Sequence, residues 1–445
     1  MAEYWNKEFD IMSWDQLHIY WLESFKNLVE HVKASSPFYS KHLEDISSKN
    51  IKSFQSITKV PFMTKHEIRD AQMKGTREFP LGTIQTAKTR DIVQVISSSG
   101  TTGRPVYYGI TERDLESWRD SLANFTFTAG IRREDVVLHI VGIPIFAGGE
   151  PYFEGMRQIG AMVVWAGGQT TQKLLEAMKN MYCTAVLGTT SFDLYVPTAC
   201  KEVLGVEAKE LGVKKVLGGG EAGLGEEPIR RKIRESWGCD TVREIMGLAD
   251  VMPGMWAECE EEGGMHFTAH NNVMVELIDS ATGKHVPWQA GAEGEPIYTT
   301  ITRQATPMVR YASHDHIRVE GTACRCGRTS PRIRCIGRVD DMLIYKAMNV
   351  FPSAIRDVIM RDFESHLTGY IQVVKDTAQQ VRFDNPIPVD VELKTDANIE
   401  PTKLKRGIED KVREMLTVRI EVNFVEPGTL QKTQYKTPLV RVRGK

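Results

Sequence analysis

The chain has 445 residues, too many for one typical hydrophobic core, so we expect at least two domains. Its 56 Lys and Arg residues nearly balance 58 Asp and Glu residues, which gives no electrostatic reason to expect binding to nucleic acid or to an anionic membrane. No apolar run approaches the roughly 20 residues of a membrane span, and the start MAEYWNKEFD does not resemble an export signal. These features favour a cytoplasmic enzyme with small-molecule partners; a homodimer is one expectation for its assembly.

The first elements are helices followed by a short strand. Apolar residues at helical spacing predict a helix over residues 14–33, and Thr64 with Glu67 three residues later predicts the capped start of a second. The β-branched run IVQVIS, residues 92–97, predicts a strand.

That strand leads into the loop SSSGTTGRP, residues 97–105. Small residues let a backbone curl tightly and point its N–H groups at one anion, while hydroxyls add further donors, so the loop suits a polyphosphate. The chain contains no G-x-x-x-x-G-K-[ST] motif, which excludes an ordinary P-loop kinase or GTPase. The alternative interpretation is a plain surface turn.

The next region alternates apolar strands with amphipathic helices. Strands are predicted at 136–143, 161–168, 185–190 and 214–220, which indicates an α/β fold with a largely parallel sheet. Within it, Phe146, Gly148, Gly149 and Trp165 suggest a flat apolar slot for a ring, although buried aromatic residues are more often core.

The last of these strands carries a glycine pattern. Gly218, Gly220 and Gly223 satisfy G-x-G-x-x-G, and Asp240 follows at the distance of the acid that binds ribose in a dinucleotide-binding fold. An oxidoreductase using NAD is therefore an alternative function. Two lysines in the preceding strand weaken the match.

A metal site is predicted beyond residue 255. Seven cysteines, an odd number, argue against a disulfide framework. Cys259, His266, Cys324 and Cys326 give C-x6-H followed by C-x-C in turn-like segments, the ligand set of a closed tetrahedral zinc site. Four protein ligands leave no open position, so we expect structural rather than catalytic Zn²⁺. The alternatives are four unrelated residues or a zinc ribbon that binds nucleic acid, which the neutral charge disfavours.

The pattern of residue types changes at two further points along the chain. Beyond about residue 265, strand-like segments separated by Gly-rich turns predict a smaller β-rich subdomain. Past Arg338, a helix over 352–363, two strands, a helix over 401–416 and a final strand predict a compact α+β unit. The turn GRVDD between the two regions is either a solvated turn or a pivot.

Five motifs occur in one order along the chain, namely SSSGTTGRP, GLAD at 247–250, YASHD at 311–315, GRVDD and NVFPS at 349–353. Together they resemble the adenylate-forming superfamily of acyl-CoA synthetases, and within it the phenylacetate–coenzyme A ligases. The resemblance covers nearly the whole chain, from YWNKEFDIMS to the terminal VEPG.

The resemblance implies an α/β N-terminal domain, residues 1–337, that binds ATP and the acyl group and includes the zinc-bearing β-rich subdomain at about 255–337. It implies a hinge at 338–341 and a small mobile C-terminal α+β lid at 342–445. The implied reaction joins an aromatic carboxylate to CoA through an acyl-adenylate, using ATP and Mg²⁺ and releasing AMP and diphosphate. The alternative is an adenylating enzyme with a non-CoA acceptor.

Site residues follow from the same resemblance. The phosphate loop is assigned to Ser99, Gly100, Thr101, Thr102 and Gly103, and the adenine and acyl pocket to Gly220 and Glu221. The nucleotide and its metal are assigned to Gly247, Asp250 for Mg²⁺, Asp315 for the ribose hydroxyls, and Arg338. Asp340 is the implied hinge, and Lys436 the implied catalytic lysine, with Lys432 as its rival.

The chain departs from the family pattern at several of these positions. Asp250 replaces a glutamate, so the shorter carboxylate is expected to reach the metal through water. His314 replaces a glycine and is expected to crowd its turn. Lys346 and Ala347 replace Arg-Gly in a loop that faces the thioester-forming step, which puts the handling of CoA in question.

Overall fold

A computed structural model of the chain describes residues 3–98, 105–141, 145, 147–221, 223–338, 342–346, 348–377, 380–395, 399–430 and 438–443. None of the helices among these residues is long and apolar enough to cross a membrane.

The α-helices are α1 Lys7–Asp10, α2 Trp14–Ser35, α3 Pro37–His42, α4 Lys65–Gln72, α5 Glu112–Thr128, α6 Glu150–Ile159, α7 Thr171–Asn180, α8 Thr190–Leu204, α9 Glu227–Trp237, α10 Pro352–Phe363 and α11 Pro401–Leu416. The predicted helix over 14–33 is α2, whose buried face includes Leu17, Trp21 and Phe25. The predicted cap of α4 is present, because Thr64 and Glu67 exchange side-chain to backbone hydrogen bonds.

The strands are β1 Ile92–Ser97, β2 Tyr107–Thr111, β3 Val136–His139, β4 Met162–Trp165, β5 Ala185–Thr189, β6 Lys215–Gly219, β7 Thr241–Leu248, β8 Met252–Glu258, β9 Met265–Phe267, β10 Val273–Ile278, β11 Glu293–Thr300, β12 Tyr311–Ala312, β13 Asp315–Gly321, β14 Arg332–Arg338, β15 Leu343–Tyr345, β16 Met348–Val350, β17 Leu367–Lys375, β18 Arg382–Phe383, β19 Ile387–Leu393, β20 Ile420–Val425 and β21 Val440–Val442.

One sheet of 12 strands organises most of the chain. Its parallel half runs in the order β4-β3-β5-β6-β7, and buried side chains from α7, α8 and α9 form a core on one face. Helices α5 and α6 contribute to the larger core, which also includes α2. The carboxyl ends of the parallel strands share one edge, where ligands bind in open α/β sheets.

The β-rich region continues this same sheet. Strands β8, β9, β14, β13, β11 and β10 follow β7 in antiparallel pairs. The parallel arrangement predicted for the strands of residues 136–220 is confirmed, but the β-rich strands extend that sheet rather than forming a separate one. The sequence could not reveal this, because pairing between strands is set by contacts distant along the chain. The predicted fold class, α/β with a β-rich region and a C-terminal α+β unit, is confirmed.

The C-terminal residues form their own core. Strands β20-β19-β17-β21 make a sheet, and apolar residues from this sheet pack with α10 and α11. Both helices have proline in the first turn, where a missing N–H costs nothing.

Candidate active site

Glu221 lies just past the carboxyl end of β6. Its carboxylate accepts hydrogen bonds from the Ser191 N–H at 3.3 Å and the Ser191 hydroxyl at 2.5 Å, at the start of α8. Gly220 has a φ of +75°, and a Cβ there would meet no atom within 4 Å. The segment therefore needs glycine for its backbone conformation and leaves open space beside Glu221.

Asp250 follows β7 at the same edge and is buried. Its carboxylate accepts a hydrogen bond from the Tyr108 hydroxyl, and Lys65 Nζ lies 3.1 Å from Oδ1. Arg303 Nη1 donates to the Asp250 carbonyl oxygen at 3.0 Å. Burial and the Asp250 carboxylate raise the pKa of Tyr108, so the phenol stays protonated and can donate.

Lys65 was missed in the sequence analysis. It stands at the first position of α4, where the helix dipole disfavours a positive charge. A cation in that position is the signal that could have pointed to a nearby carboxylate.

Asp315 and Arg338 form the second part of the site. The two residues are register partners where β13 begins and β14 ends, and Arg338 Nη1 lies 3.2 Å from Asp315 Oδ1. Tyr311 interacts electrostatically with Asp250 and with both members of this pair. Burial and the Asp250 carboxylate raise the pKa of Tyr311, while Arg338 lowers it and Asp315 raises it. Charged groups from three separate motifs thus act on the pKa of one phenol.

His314 is accommodated without glycine. It adopts a left-handed φ of +57°, and its backbone N–H donates to Glu295 Oε1 at 2.8 Å. Gly247, in contrast, is required by packing, because a Cβ there would lie 1.6 Å from the Pro253 carbonyl oxygen.

The glycine pattern lacks dinucleotide-binding geometry. Gly219 pairs with Ile245, whereas Asp240 precedes Thr241, the first residue of β7. Asp240 is thus at the amino edge of the sheet, roughly four to five strand residues, or about 15 Å, from the glycine turn. The NAD-dependent alternative fails on this separation.

Several predicted residues lie outside the described ranges: Ser99, Gly100, Thr101, Thr102, Gly103, Phe146, Asp340, Ala347, Lys432 and Lys436. The described flanks of the glycine loop belong to β1 and β2, which pair as a hairpin. Trp165 stacks on His139 and Phe153 at centroid distances of 5.9 and 5.7 Å, and its side chain is still 38% exposed.

The four predicted zinc ligands come together. Cys259, His266, Cys324 and Cys326 place their ligand atoms within 4.8 Å of one another, although Cys324 and Cys326 are more than 50 residues from the other two. The Cys326 Sγ lies 3.4 Å from His266 Nε2, and Cys259 Sγ lies 3.7 Å from Cys324 Sγ. Three thiols and an imidazole are a donor set that suits Zn²⁺.

The surroundings of His266 favour a ligand role. Its Nδ1 lies 3.1 Å from the Ser330 carbonyl oxygen, a contact that places the proton on Nδ1 and leaves Nε2 facing the cysteines. Hydrogen bonding from Cys259 lowers the pKa of Cys326, and His266 lowers it further. Both effects favour a thiolate.

A family model described as "AMP-binding enzyme C-terminal domain" matches residues 347–442. The chain is 28% identical to a phenylacetate-coenzyme A ligase of Aromatoleum evansii, covering 94% of this chain and 92% of that one. It is 26% identical to the phenylacetate-coenzyme A ligase of Escherichia coli, covering 95% of this chain and 94% of that one.

Solved structures share the fold. A 2-hydroxyisobutyryl-CoA ligase in the postadenylation state superposes with a TM-score of 0.88 at 23% identity, covering 98% of this chain and 91% of that chain. The same ligase in the thioesterification state superposes with a TM-score of 0.71 at 24% identity, covering 99% of this chain and 92% of that chain.

The family model and the curated relatives make the chain similar to adenylate-forming enzymes, and the solved structures show that it shares their fold. Within that class the chain is phenylacetate–coenzyme A ligase-like, which confirms the resemblance predicted from its motifs.

Proposed function

We propose that the protein is an AMP-forming aromatic carboxylate–CoA ligase. It converts ATP, an aryl or arylacetic acid and CoA into acyl-CoA, AMP and diphosphate. The observation that carries the proposal is the pairing of Arg338 with Asp315 at 3.2 Å where β13 begins and β14 ends, because it joins the two residues proposed to hold the nucleotide. Asp250, like both of them, acts on the pKa of Tyr311. The phenylacetate–CoA ligase relatives support the choice of acid class and acceptor.

In the proposed binding mode, Asp315 accepts hydrogen bonds from the ribose hydroxyls and Arg338 contacts the nucleotide. Residues 99–103 supply backbone N–H and hydroxyl donors to the β- and γ-phosphates, and Gly220 and Glu221 line the adenine and acyl pocket. Lys65 stands beside Asp250 as a further cation near this site.

Asp250 suits Mg²⁺, because one carboxylate together with nucleotide phosphates is the usual donor set for this ion. Mg²⁺ supplies positive charge that stabilises the phosphate oxygens. Since Lys65 lies 3.1 Å from the Asp250 carboxylate, direct coordination requires Lys65 to withdraw, whereas coordination through water does not.

The first half-reaction is attack of the substrate carboxylate on the α-phosphorus of ATP. A bond forms between the carboxylate oxygen and phosphorus while diphosphate leaves with the electron pair of the broken bond. Negative charge develops on phosphate oxygens, and Lys436 is the ammonium proposed to stabilise it.

In the second half-reaction, the CoA thiolate attacks the acyl carbonyl and AMP leaves. The groups required differ from those of the first step, so we assign the exchange of groups to rotation of the lid at Asp340. The chain superposes better on the postadenylation form of the 2-hydroxyisobutyryl-CoA ligase than on its thioesterification form, with TM-scores of 0.88 and 0.71. This difference supports assigning the described arrangement to the conformation of the first half-reaction.

The cluster of Cys259, His266, Cys324 and Cys326 is proposed to hold one structural Zn²⁺. It joins the turn after β8 to the turn between β13 and β14. With all four positions supplied by protein, the ion would take no part in the reaction.

The proposal is tested by exchange of labelled diphosphate into ATP in the presence of an aromatic acid. Lys436→Ala should lower this exchange by on the order of a hundredfold or more, as expected for loss of one electrostatic donor. Thioester formation from a presynthesised acyl-adenylate should continue at close to the original rate, and Lys432→Ala is the matched control. Equal loss of both half-reactions in Lys436→Ala, or a larger effect of Lys432→Ala, contradicts the assignment.

A further inference from the structure

Helix α4 is held at its start by the large sheet. The Met63 N–H donates to the Arg310 carbonyl oxygen at 3.0 Å, and the Ala312 N–H donates to the Met63 carbonyl oxygen at 2.9 Å. Thr64, the residue before Lys65, caps the helix. Because backbone hydrogen bonds fix this segment beside β12, the backbone of Lys65 has a defined position in the large domain.

The other end of α4 is held by β2. Gln72, the last residue of the helix, donates through Nε2 to the Tyr107 carbonyl oxygen at 2.5 Å and accepts from the Tyr107 N–H at 3.1 Å. Tyr107 precedes Tyr108, whose hydroxyl donates to Asp250. The helix that carries Lys65 and the strand that carries Tyr108 are thus joined to each other, and both contribute a side chain to one carboxylate.

The Lys65 ammonium contacts both oxygens of that carboxylate. Its Nζ lies 3.1 Å from Asp250 Oδ1 and 3.3 Å from Oδ2. The Lys65 side chain is 28% exposed and that of Asp250 only 7%, so the ammonium lies toward the open side of the pair. An ammonium has three N–H donors, and two suffice for the two carboxylate oxygens, so a third can serve a further anion. The positive end of the α4 dipole favours an anion at the same place.

The proposed nucleotide brings phosphate oxygens within reach of this ammonium. Mg²⁺ binds its oxygen ligands at about 2.1 Å, so neighbouring ligands of one ion lie about 3 Å apart. Phosphate oxygens that share the ion with Asp250 therefore fall within the length of a lysine side chain whose Nζ is already 3.1 Å from that carboxylate. Lysine suits such an exchange of partners, because its ammonium is a point charge on a flexible stem.

We infer that Lys65 is a second catalytic ammonium, paired with Asp250 before the nucleotide binds and with a nucleotide phosphate afterwards. The inference rests on the proposed function, in which Asp250 faces Mg²⁺. Lys436 belongs to the proposed lid and leaves when the lid rotates, whereas Lys65 stays with the large domain. Its charge therefore serves both half-reactions: it stabilises phosphate oxygens as diphosphate leaves, and those of AMP as the CoA thiolate displaces it.

Lys65 and the metal ion compete for Asp250. Whether the ion is bound directly or through water, its charge and that of the ammonium attract the same carboxylate. Loss of the lysine should therefore strengthen metal binding by the nucleotide-free protein while it weakens catalysis. A merely structural defect at this position would weaken both.

The first test uses Lys65→Met, which keeps most of the side-chain length and removes the charge, and Lys65→Arg, which keeps the charge. Lys215→Met is the matched control, because the Lys215 side chain is also mostly buried, at 21% exposure, and pairs with Asp135 at 2.6 Å at the opposite edge of the sheet. In Lys65→Met, diphosphate exchange and thioester formation from presynthesised acyl-adenylate should each fall by on the order of tenfold or more. The Mg²⁺ concentration for half-maximal exchange should also fall. Lys65→Arg should recover most of both rates, and Lys215→Met should resemble the parent enzyme.

A second readout needs neither nucleotide nor activity. Binding of Mn²⁺, a paramagnetic substitute for Mg²⁺, to the nucleotide-free protein is followed by electron paramagnetic resonance. Mn²⁺ should bind to Lys65→Met more tightly than to the parent protein, by on the order of threefold or more, and to Asp250→Asn more weakly. Lys215→Met should match the parent. Should Lys65→Met fail to fold, Lys65→Gln provides the same comparison.

The inference and the proposed function fail in different ways. A normal rate in either half-reaction of Lys65→Met, beside the loss of exchange in Lys436→Ala, overturns the inference and leaves the function standing. Loss of activity in Lys65→Met with a Mn²⁺ affinity equal to or weaker than that of the parent also overturns it, since that is the result of a merely structural role. Failure of the parent protein to form AMP with any aromatic acid overturns the proposed function, and the inference falls with it.

Discussion

Asp250, the carboxylate proposed to face Mg²⁺, already has two partners. Lys65 Nζ lies 3.1 Å from its Oδ1, and Tyr108 donates to it from a buried position. In the proposed binding mode, the nucleotide and its metal therefore enter a site in which this carboxylate is already paired with a cation.

Asp250→Asn tests this role. We expect adenylate formation to fall by at least about tenfold and the Mg²⁺ concentration for half-maximal rate to rise, as for other residues of metal sites. Asp135→Asn is the control, because Asp135 is also buried and pairs with a lysine, Lys215 at 2.6 Å, at the opposite edge of the sheet. An unchanged Mg²⁺ dependence in Asp250→Asn would remove Asp250 from the metal site.

Glu244 makes stability depend on pH. Burial raises its pKa to about 7, while Arg334, 3.2 Å away, acts in the opposite direction. The folded protein therefore binds this proton more tightly than the unfolded chain, and the associated stability, up to about 3 kcal/mol, is lost as pH rises from about 4.5 to 7. In Glu244→Gln the fall in melting temperature from pH 5 to pH 8 should be smaller than in the parent protein. If the melting temperature falls equally with pH in the variant and in the parent protein, Glu244 does not titrate in this range.

At the scale of elements, two turns distant in sequence meet at the Cys3His cluster. Cys259 follows β8, and Cys324 and Cys326 lie between β13 and β14. Arg332 donates to the carbonyl oxygens of Gly263 and Ala323, so protein contacts also link the two turns. The proposed zinc ion would add a further link between them.

Metal analysis should find about one zinc per chain. Cys326→Ser should lower the zinc content and the melting temperature far more than it changes KM. Cys200→Ser, at a buried cysteine outside the cluster, should leave the zinc content unchanged. A zinc-free preparation with full stability and activity would refute the structural site.

The elements differ in how far the sequence determined them. Helices α10 and α11 span the predicted residues, because their periodicity and first-turn prolines are local signals. The attachment of the β-rich strands to the large sheet was not predicted, since strand pairing joins residues far apart. In the site, motifs predicted Asp250, Asp315 and Arg338, whereas Lys65 and Tyr108 emerged only when the fold placed them beside Asp250.

At the scale of the whole molecule, the C-terminal α+β unit contacts the large sheet through residues that include Phe351, Ser353 and Arg356. Phe351 stacks on His316 with ring centroids 5.2 Å apart, and the Ser353 hydroxyl donates to the Ile336 carbonyl oxygen. The Arg356 guanidinium packs so closely on Gly223 that a Cβ there would lie 2.3 Å from it. The proposed rotation of the C-terminal unit between the two half-reactions would have to break these contacts.

The central claim is that the protein forms aryl-CoA by way of AMP. The most direct measurement is the quantification of AMP and acyl-CoA from ATP, Mg²⁺, CoA and a panel of aromatic carboxylates by liquid chromatography and mass spectrometry. The account predicts that at least one acid gives AMP and its CoA thioester in equal amounts, and that neither product forms when the acid is omitted. Formation of ADP and phosphate in place of AMP, or no thioester from any aromatic acid with folded protein, would contradict it.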